Sequence, residues 1–484
     1  MKQKSLRDNY ILNILYQILA MIVPFITIPY VARVLKVEQM GIYNYVFSVA
    51  NIFINFIVNG TEQYGLREIA YRPNEKKENT KLLIELTLGK LILFLILTIP
   101  YIIISFLYNY EYRYIYIIHI VLLFSYAIDI SWFYKGQEEF KKIVTRNITI
   151  KLLSVICIFL FVKSSKDFYR YAILMVGSTL IGNITLFLGI SVYTTKIKIK
   201  EIKISKIKEH INPCIIFFIP ILASNIYAYL DKILLGIFSI EMEVAYYSQA
   251  EKIVKMVLGV ITALEVVLLP RISYYVKNKE YKIMSTYLYK TLQFIFFIGI
   301  PLIFGMIFIS PYFIPLFLGA EYNKCILNVK ILSFLILIIG IASITGGSVM
   351  IPIGKQKKYN LIIIGGSILN GILNIFFIPY FKSYGASVAT ICAESFITIS
   401  ILISLKKYLN IFTILKENYQ YLIASIFMFL ILKSLSRVFY SDIESLFFII
   451  TIGGISYFSL LLLIKDSMTL DILSFIKTKI IKSI

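Results

Sequence analysis

The segment DISWFYKGQEEFKKIVTRN (129–147) lies between two long apolar runs and contains seven charged residues among its nineteen positions. It also holds Trp132, the only tryptophan of the chain. Aromatic residues next to clustered lysine and arginine are typical of the point where a helix leaves a bilayer. The segment therefore predicts a turn between two membrane-spanning helices, with Trp132, Phe133 and Tyr134 in an interfacial aromatic belt.

The composition of the whole chain agrees with a membrane protein. Of its 484 residues, 59% are hydrophobic and only 16% are charged, which is more apolar surface than a soluble protein of this size can bury. The net charge of +22 comes from short lysine tracts that flank the apolar runs, so we expect a lipid partner and no nucleic acid. The four cysteines are scattered, and we expect neither disulfides nor a metal site.

Apolar runs of about 20 residues, the length that a helix needs to cross a bilayer, recur along the chain. Backbone groups in lipid must be satisfied internally, and the alternation typical of a β-barrel is absent, so the spans should be helices. The sequence thus predicts an all-α, polytopic protein of fourteen transmembrane helices, near 10–32, 41–60, 82–107, 114–134, 146–163, 168–192, 211–235, 244–270, 286–309, 326–352, 359–379, 385–405, 418–434 and 445–464.

The distribution of basic residues predicts the orientation of these spans. Loops on one side, together with both termini, hold 34 lysines and arginines, and the other side holds 12. Lys90, Lys252 and Lys255 fall inside spans. Because cytoplasmic loops are enriched in Lys and Arg, both termini should lie in the cytoplasm. No loop exceeds about twenty residues, which leaves no room for a soluble catalytic domain, so we do not expect an enzyme.

Polar residues recur on one face of several predicted spans, at the spacing of a helix. Such stripes either hold helices together or line a water-filled cavity. Because six spans carry such a stripe, we favour a water-filled cavity. The stripes comprise Asn13 and Gln17 on the first span, Asn44, Asn51 and Asn55 on the second, Asp231 on the seventh, Lys252, Lys255 and Glu265 on the eighth, Asn370 and Asn374 on the eleventh, and Glu394 on the twelfth.

Lys255 lies about nine residues into its span, or ~14 Å along the helix, so its charge requires compensation. Glu251, four residues earlier, could pair with it within the helix. The alternative is that Lys252 and Lys255 face a cavity and bind an anionic ligand.

Spans one and two also resemble spans seven and eight in their prolines, tyrosines and charged ends. This repeat predicts two six-helix bundles followed by two more helices: an N-terminal bundle (1–192), a C-terminal bundle (193–405) and a final region (406–484). Transporters are commonly built from such repeats.

Several motifs are similar to those of bacterial polysaccharide flippases (Wzx-like) of the multidrug/oligosaccharidyl-lipid/polysaccharide (MOP) exporter superfamily. WFYKGQEEFKKIVTRN (132–147) is the most specific. The others are YVARVLKVEQMGIYNYVFSVAN (30–51), YGLREIA (64–70), YLDKILLG (229–236), YYSQAEKI (246–253) and LLPRIS (268–273).

This resemblance implies a MATE-like pair of bundles in a bacterial inner membrane that alternates between inward-open and outward-open states. Its implied substrate is an undecaprenyl-diphosphate-linked oligosaccharide, moved from the cytoplasmic to the external leaflet for capsule-type or O-antigen-type polysaccharide synthesis. A polysaccharide polymerase and glycosyltransferases of the same pathway are the implied partners. A cation-coupled multidrug antiporter of the same superfamily is the alternative.

For such a cargo, basic residues suit the diphosphate, and amides suit the sugar hydroxyls. We assign Lys252, Lys255 and Arg33 to the diphosphate. The amide residues of the stripes are assigned to the sugar: Asn13, Gln17, Asn44, Asn51, Asn55, Asn370 and Asn374. Four carboxylates are either proton or cation sites or balance nearby charge: Asp129, Asp231, Glu265 and Glu394. No cofactor is expected, and coupling to H⁺, to Na⁺ or to the membrane potential stays open, as do the sugar and the oligomeric state.

Overall fold

The computed structural model describes residues 22–108, 112–198, 201, 204–440 and 442–481, and the regular elements of these ranges are all helical. Its α-helices are α1 Ile22–Val34, α2 Val37–Val58, α3 Thr61–Tyr71, α4 Lys76–Tyr108, α5 Arg113–Ala127, α6 Ser131–Gly136, α7 Phe140–Phe161, α8 Phe168–Thr185, α9 Ile204–Phe238, α10 Glu241–Lys277, α11 Tyr281–Leu318, α12 Cys325–Leu332, α13 Leu335–Ala342, α14 Gln356–Ser404, α15 Ile411–Ser434, α16 Ile443–Leu463 and α17 Ser467–Ile481. A π-helix, Ser343–Met350, follows α13 directly.

Within the described residues, ten helical stretches are long and apolar enough to cross a membrane. The prediction of an all-helical, multi-pass protein is confirmed, and the exact number of fourteen spans stays a prediction. At one point the number of helices differs from the number of predicted spans. The predicted spans 359–379 and 385–405 form one continuous element, α14, with a break at Lys382, where φ is 52° and ψ is −130°.

The chain divides into two compact units, Met1–Ala245 and Tyr246–Ile484, with the boundary inside α10. The first unit therefore contains α9, the seventh predicted span. The predicted division at residues 192 and 405 was based on an internal repeat, and it stays a prediction.

In the first unit, α2 and α3 are separated by a sharp left-handed turn. Asn59 has a φ of 44° and Gly60 a φ of 71°. A side chain on Gly60 would collide with the backbone of α9, since an added Cβ would lie only 2.3 Å from the Cys214 carbonyl oxygen. Glycine is required there both by its backbone conformation and by this close approach.

The segment 129–147 forms a buried part of the first unit. Trp132 is 2% exposed, Phe133 and Tyr134 are fully buried, and the three pack in a hydrophobic core with residues of α3, α4 and α7. The ring of Trp132 lies directly on Gly65 of α3. The prediction of an interfacial aromatic belt for this triplet is therefore wrong. The rings pack instead among side chains of α3 and α4, such as Ile69 and Leu86.

In the second unit, α11, α15 and α16 pack together around Phe297. The hydroxyl of Tyr457 on α16 donates to the carbonyl oxygen of Phe297, with 2.7 Å between the oxygens. The side chain of Asp442 accepts from the Ser445 amide at 2.7 Å, which caps the N-terminus of α16.

Candidate functional site

The polar stripe predicted on the second span lies on α2. The side chains of Asn44, Ser48, Asn51 and Asn55 each donate a hydrogen bond to the carbonyl oxygen four residues earlier, over 2.7–2.8 Å. For the asparagines this local bond uses an amide hydrogen and fixes the side chain along the helix. The side-chain oxygen of Asn55 accepts a hydrogen bond from the neighbouring helix α9.

Asn51 and Asn55 open into a cavity of about 230 Å³ inside the first unit, which we call the amide pocket. Helices α2, α3, α4, α5, α6 and α9 contribute to its wall. Its described lining is Asn51, Ile54, Asn55, Val58, Gly60, Thr61, Glu62, Gln63, Lys90, Tyr126, Asp129, Ser131, Trp132, Phe218, Asn225 and Tyr229.

Lys90 of α4 is the one basic residue in the described lining of the pocket, and 2% of its surface is exposed. Its Nζ donates to the carbonyl oxygen of Tyr126, in the last turn of α5, at 3.3 Å and to that of Asp129, just beyond the helix, at 2.5 Å. Carbonyls at the end of a helix carry partial negative charge, so they compensate a buried ammonium group well. Lys90 thereby fixes the end of α5 against α4.

Two carboxylates bring negative charge to the pocket. Asp129 accepts from the amide of Ser131 at 2.8 Å and from its hydroxyl at 3.1 Å, which holds the start of α6. Glu62 of α3 forms an ion pair with Lys135 at the end of α6. Together with Lys90, these carboxylates give the pocket charges of both signs. A polar, uncharged ligand can donate hydrogen bonds to the carboxylates and accept them from the ammonium group.

Helix α9 completes the pocket. The Asn225 side-chain amide donates to the Asn55 side-chain oxygen at 2.6 Å, which joins α9 to α2 through two amides. Aromatic rings of Tyr126, Trp132 and Tyr229 lie in the same wall. Amides, carboxylates and aromatic rings in one small cavity are the groups that bind hydroxyl-rich rings.

Other residues predicted for the site in the first unit do not line this pocket. Asn44 is buried nearer the N-terminus of α2, and Arg33 is exposed at the end of α1. Asp231 of α9 is 4% exposed, and the neighbouring Lys232 donates to the Ala228 carbonyl oxygen at 3.2 Å. Asn13 and Gln17 lie outside the described residues.

In the second unit, Lys255 lies 2.6 Å from the carboxylate of Glu251 on the same helix. Its side chain is 50% exposed and that of Glu251 only 10%. The ion pair that the sequence offered as compensation is therefore present. Lys252 is partly buried on the same helix.

The other predicted residues of the second unit lie on α10 and α14. Asn370 and Asn374 are fully buried on α14, where the Asn374 amide donates to the backbone and side-chain oxygens of Asn370, each at 3.0 Å. Glu265 of α10 faces the π-helix, and a Cβ added to Gly347 would collide with its carboxylate. Glu394 is partly buried on α14.

Sequence reasoning did not assign Lys90 or Asn225 to the site. Lys90 was visible as a lone cation inside an apolar run, which is a signal of function in a membrane protein. Its partners, Tyr126 and Asp129, are far away in sequence, so no helical spacing connects them to it. Asn225 is four residues before Tyr229, which is the helical spacing that could have indicated a shared face.

Comparison with known proteins identifies similar chains. A protein of Shigella dysenteriae named "Putative O-antigen transporter" is 26% identical over 396 residues, which are 79% of this chain and 96% of that protein. An Escherichia coli (strain K12) protein of the same name is 22% identical over 404 residues, covering 81% of this chain and 95% of that protein.

Solved structures with the same fold include the lipid II flippase MurJ in an inward closed conformation. Its TM-score is 0.71 at 17% identity, over 95% of this chain and all of that one. An inward-facing multidrug resistance MATE family transporter of the MOP superfamily has a TM-score of 0.60 at 14% identity, over 80% and 98% of the two chains. At these identities the likeness concerns the fold.

Two family models each match more than half of the chain. The model for "Polysaccharide biosynthesis protein" matches residues 6–276, and that for "Lipid II flippase MurJ" matches residues 145–452. These are families of transporters and flippases, not of enzymes. The chain therefore belongs to the polysaccharide biosynthesis protein family and is a Wzx-like, multi-pass membrane flippase of the MOP superfamily.

Proposed function

We propose that this flippase moves an undecaprenyl-diphosphate-linked oligosaccharide from the cytoplasmic to the external leaflet by alternating access, for synthesis of a capsule-type or O-antigen-type polysaccharide. The observation that carries the proposal is the amide pocket. Its volume of about 230 Å³ lies below the roughly 300–1,000 Å³ of pockets that hold drug-sized ligands. A pocket of that size suits one sugar ring of a longer chain.

The chemistry of the lining supports a sugar. Carboxylates of Glu62 and Asp129 accept hydrogen bonds from hydroxyl groups, and the amides of Asn55 and Asn225 can accept or donate. Aromatic rings such as that of Tyr126 pack against the C–H faces of a sugar ring. Relatives named as O-antigen transporters and a fold shared with a lipid II flippase favour the same class of substrate.

The diphosphate requires cations, and Lys252, Lys255 and Arg33 are the proposed ligands. Lys255 is half exposed and already 2.6 Å from Glu251, so a diphosphate has to compete with that carboxylate or share the lysine with it. Phosphate offers several acceptor oxygens, which an ammonium group with three donors can bind while it keeps one bond to Glu251.

Transport needs an energy source, for which H⁺, Na⁺ or the membrane potential are the proposed candidates. Asp129, Asp231, Glu265 and Glu394 are the carboxylates that could bind a coupling ion or balance charge. Glu265 has one supporting feature. It packs against Gly347 of the π-helix Ser343–Met350, and π-helical segments frequently mark functional sites.

Trp132 permits a direct test of the pocket, because it is the only tryptophan and lines the cavity. We expect purified protein to show a saturable change in tryptophan emission when lipid-linked oligosaccharide is added. Undecaprenyl diphosphate without sugar should give little change. An Asn225→Leu variant should bind the oligosaccharide at least about tenfold more weakly, since it loses a polar contact and removes the Asn225 donor from the Asn55 side-chain oxygen.

The matched control is Asn278→Leu, because Asn278 is an exposed asparagine that follows α10. It should bind like the wild type. Equal binding by Asn225→Leu would show that the sugar does not enter the amide pocket. If the protein instead exported ethidium under a Na⁺ or H⁺ gradient and moved no glycolipid, the multidrug antiporter alternative would be correct.

A further inference from the structure

A groove on the lateral surface of the first unit is distinct from the amide pocket. It consists of two cavities of about 510 and 420 Å³ that share Arg146 and Ile150. Residues of α1, α7 and α8 form most of its wall, and no residue of the groove lines the amide pocket. The groove is therefore a candidate site separate from the amide pocket.

The charge of the groove is strongly positive. Among the described residues that line it, Lys141, Lys142, Arg146 and Lys151 are cationic, and Glu139 is the carboxylate. The Glu139 side chain accepts a hydrogen bond from the Tyr193 hydroxyl at 2.6 Å, and its charge offsets one of the four cations. An anion is the complementary ligand.

Neutral groups position two of these cations. Lys142 Nζ donates to the carbonyl oxygen of Leu188 at 2.6 Å and to the hydroxyl of Tyr134 at 2.8 Å. Arg146 Nη1 donates to the Asn183 side-chain oxygen at 2.9 Å. The acceptors of these three bonds carry no net charge. With Glu139 near Lys142, the four cations of the described lining still leave an excess of three positive charges.

The far end of the groove is apolar. Val155 and Ile158 line it, and the hydroxyls of Ser178 and Thr179 there donate to the carbonyl oxygen of Met175, which satisfies their donors within α8. Next to the groove, Ile156 of α7 is 53% exposed, as expected of a side chain that faces lipid. The apolar end is thus a surface for a hydrocarbon chain.

From this arrangement we propose that the groove binds one anionic glycerophospholipid of the surrounding membrane. Its phosphate lies between Lys142 and Arg146, and one acyl chain lies against Val155 and Ile158. Arg146 is six residues from the start of α7, or ~9 Å along the helix, so it lies near the end of that helix together with Lys142. Basic pockets between helices near a membrane surface are suited to such head groups.

The test uses full-length protein in nanodiscs of phosphatidylglycerol or of phosphatidylcholine. Native mass spectrometry after transfer to detergent should show phosphatidylglycerol retained on the wild type and phosphatidylcholine lost. An Arg146→Gln variant keeps a donor for Asn183 and loses the charge. It should bind phosphatidylglycerol about fivefold more weakly, the effect of one basic residue near anionic lipid.

Lys166→Gln is the matched control, since Lys166 is an exposed lysine that does not line the groove, and it should bind like the wild type. A melting temperature like that of the wild type in phosphatidylcholine shows that Arg146→Gln is folded; otherwise Lys151→Gln replaces it. Equal retention of the two lipids, or wild-type binding by Arg146→Gln, overturns the proposal. Displacement of phosphatidylglycerol by undecaprenyl diphosphate also overturns it, because the groove would then belong to the transported lipid.

Discussion

At the residue scale, Lys90 is the side chain on which the amide pocket depends most. It is almost fully buried and donates to carbonyl oxygens of Tyr126 and Asp129. We expect Lys90→Met to lower the free energy of unfolding by about 1–3 kcal/mol, because two carbonyl oxygens lose a charged donor. Thermal unfolding in detergent measures this loss.

Lys433→Met is the control, because Lys433 is an exposed residue of α15. Its replacement should change the stability by less than about 1 kcal/mol. If both variants melted at the same temperature, the buried hydrogen bonds of Lys90 would contribute nothing to the fold, and its place in the pocket wall would need another explanation.

Gly60 is a second residue with a specific requirement. Its φ of 71° disfavours a side chain, and its close approach to the Cys214 backbone leaves no room for one. Gly60→Ala should therefore destabilise the protein by about 1–2 kcal/mol from the backbone alone, and by more from the collision.

Gly454 on α16 offers the opposite case, since nothing lies within 4 Å of an added Cβ there. Gly454→Ala should stabilise its helix by about 0.5–1 kcal/mol. Melting curves of the two alanine variants should shift in opposite directions, and a shift in the same direction contradicts this account of Gly60.

Helical spacing could predict Asn51 and Asn55 as pocket residues because both lie on one face of one helix. It could not predict the pairing of Asn55 with Asn225, since that contact depends on how α2 packs against α9. The same limit applies to Lys90, whose acceptors lie near the C-terminus of α5. The positions of side chains on a helix follow from the sequence alone, and contacts between helices do not.

At the element scale, the segment 129–147 shows what composition can and cannot predict. Its charges correctly indicated a break between two apolar helices, which the structure places after α5 and before α7. The burial of Trp132 was not predictable from its flanking charges. It results from the packing of α6 on α3, where Gly65 leaves space for the indole ring.

The break in α14 leads to a prediction at this scale. Lys382 is exposed and has a left-handed φ of 52°, a conformation that costs an L residue about 1–3 kcal/mol. Lys382→Gly should remove most of that cost and raise the melting temperature.

The control is Lys416→Gly, at an exposed position inside the regular helix α15. Glycine there should destabilise the protein by about 0.5–1 kcal/mol. A loss of stability in Lys382→Gly of the same size would mean that Lys382 is not strained and that α14 is continuous in the native protein.

At the scale of the whole molecule, hydropathy predicted the helices well because lipid requires long apolar segments with internal hydrogen bonds. The grouping of helices is a different matter. The repeat predicts a boundary at residue 192, which stays a prediction, and it gave no indication that α9 packs with α2, α3 and α4. Packing of that kind depends on the shapes of helix faces, which hydropathy does not record.

The excess of Lys and Arg predicts that both termini are cytoplasmic. In a chain with its four cysteines replaced by alanine, Lys166→Cys should react with a membrane-impermeant maleimide in intact cells. Lys198→Cys should react only after permeabilisation. Both positions are exposed, so accessibility within the protein does not limit either reaction. The reverse pattern of labelling would invert the orientation.

The central claim is that this chain flips a lipid-linked oligosaccharide whose sugar enters the amide pocket. Its most direct test is the rate at which fluorescent undecaprenyl-diphosphate oligosaccharide crosses the bilayer of reconstituted vesicles. We expect rapid flipping with the wild type and with Asn278→Leu, and at least about tenfold slower flipping with Asn225→Leu. Flipping by the wild type at the rate of protein-free vesicles, or undiminished flipping by Asn225→Leu, would contradict the account.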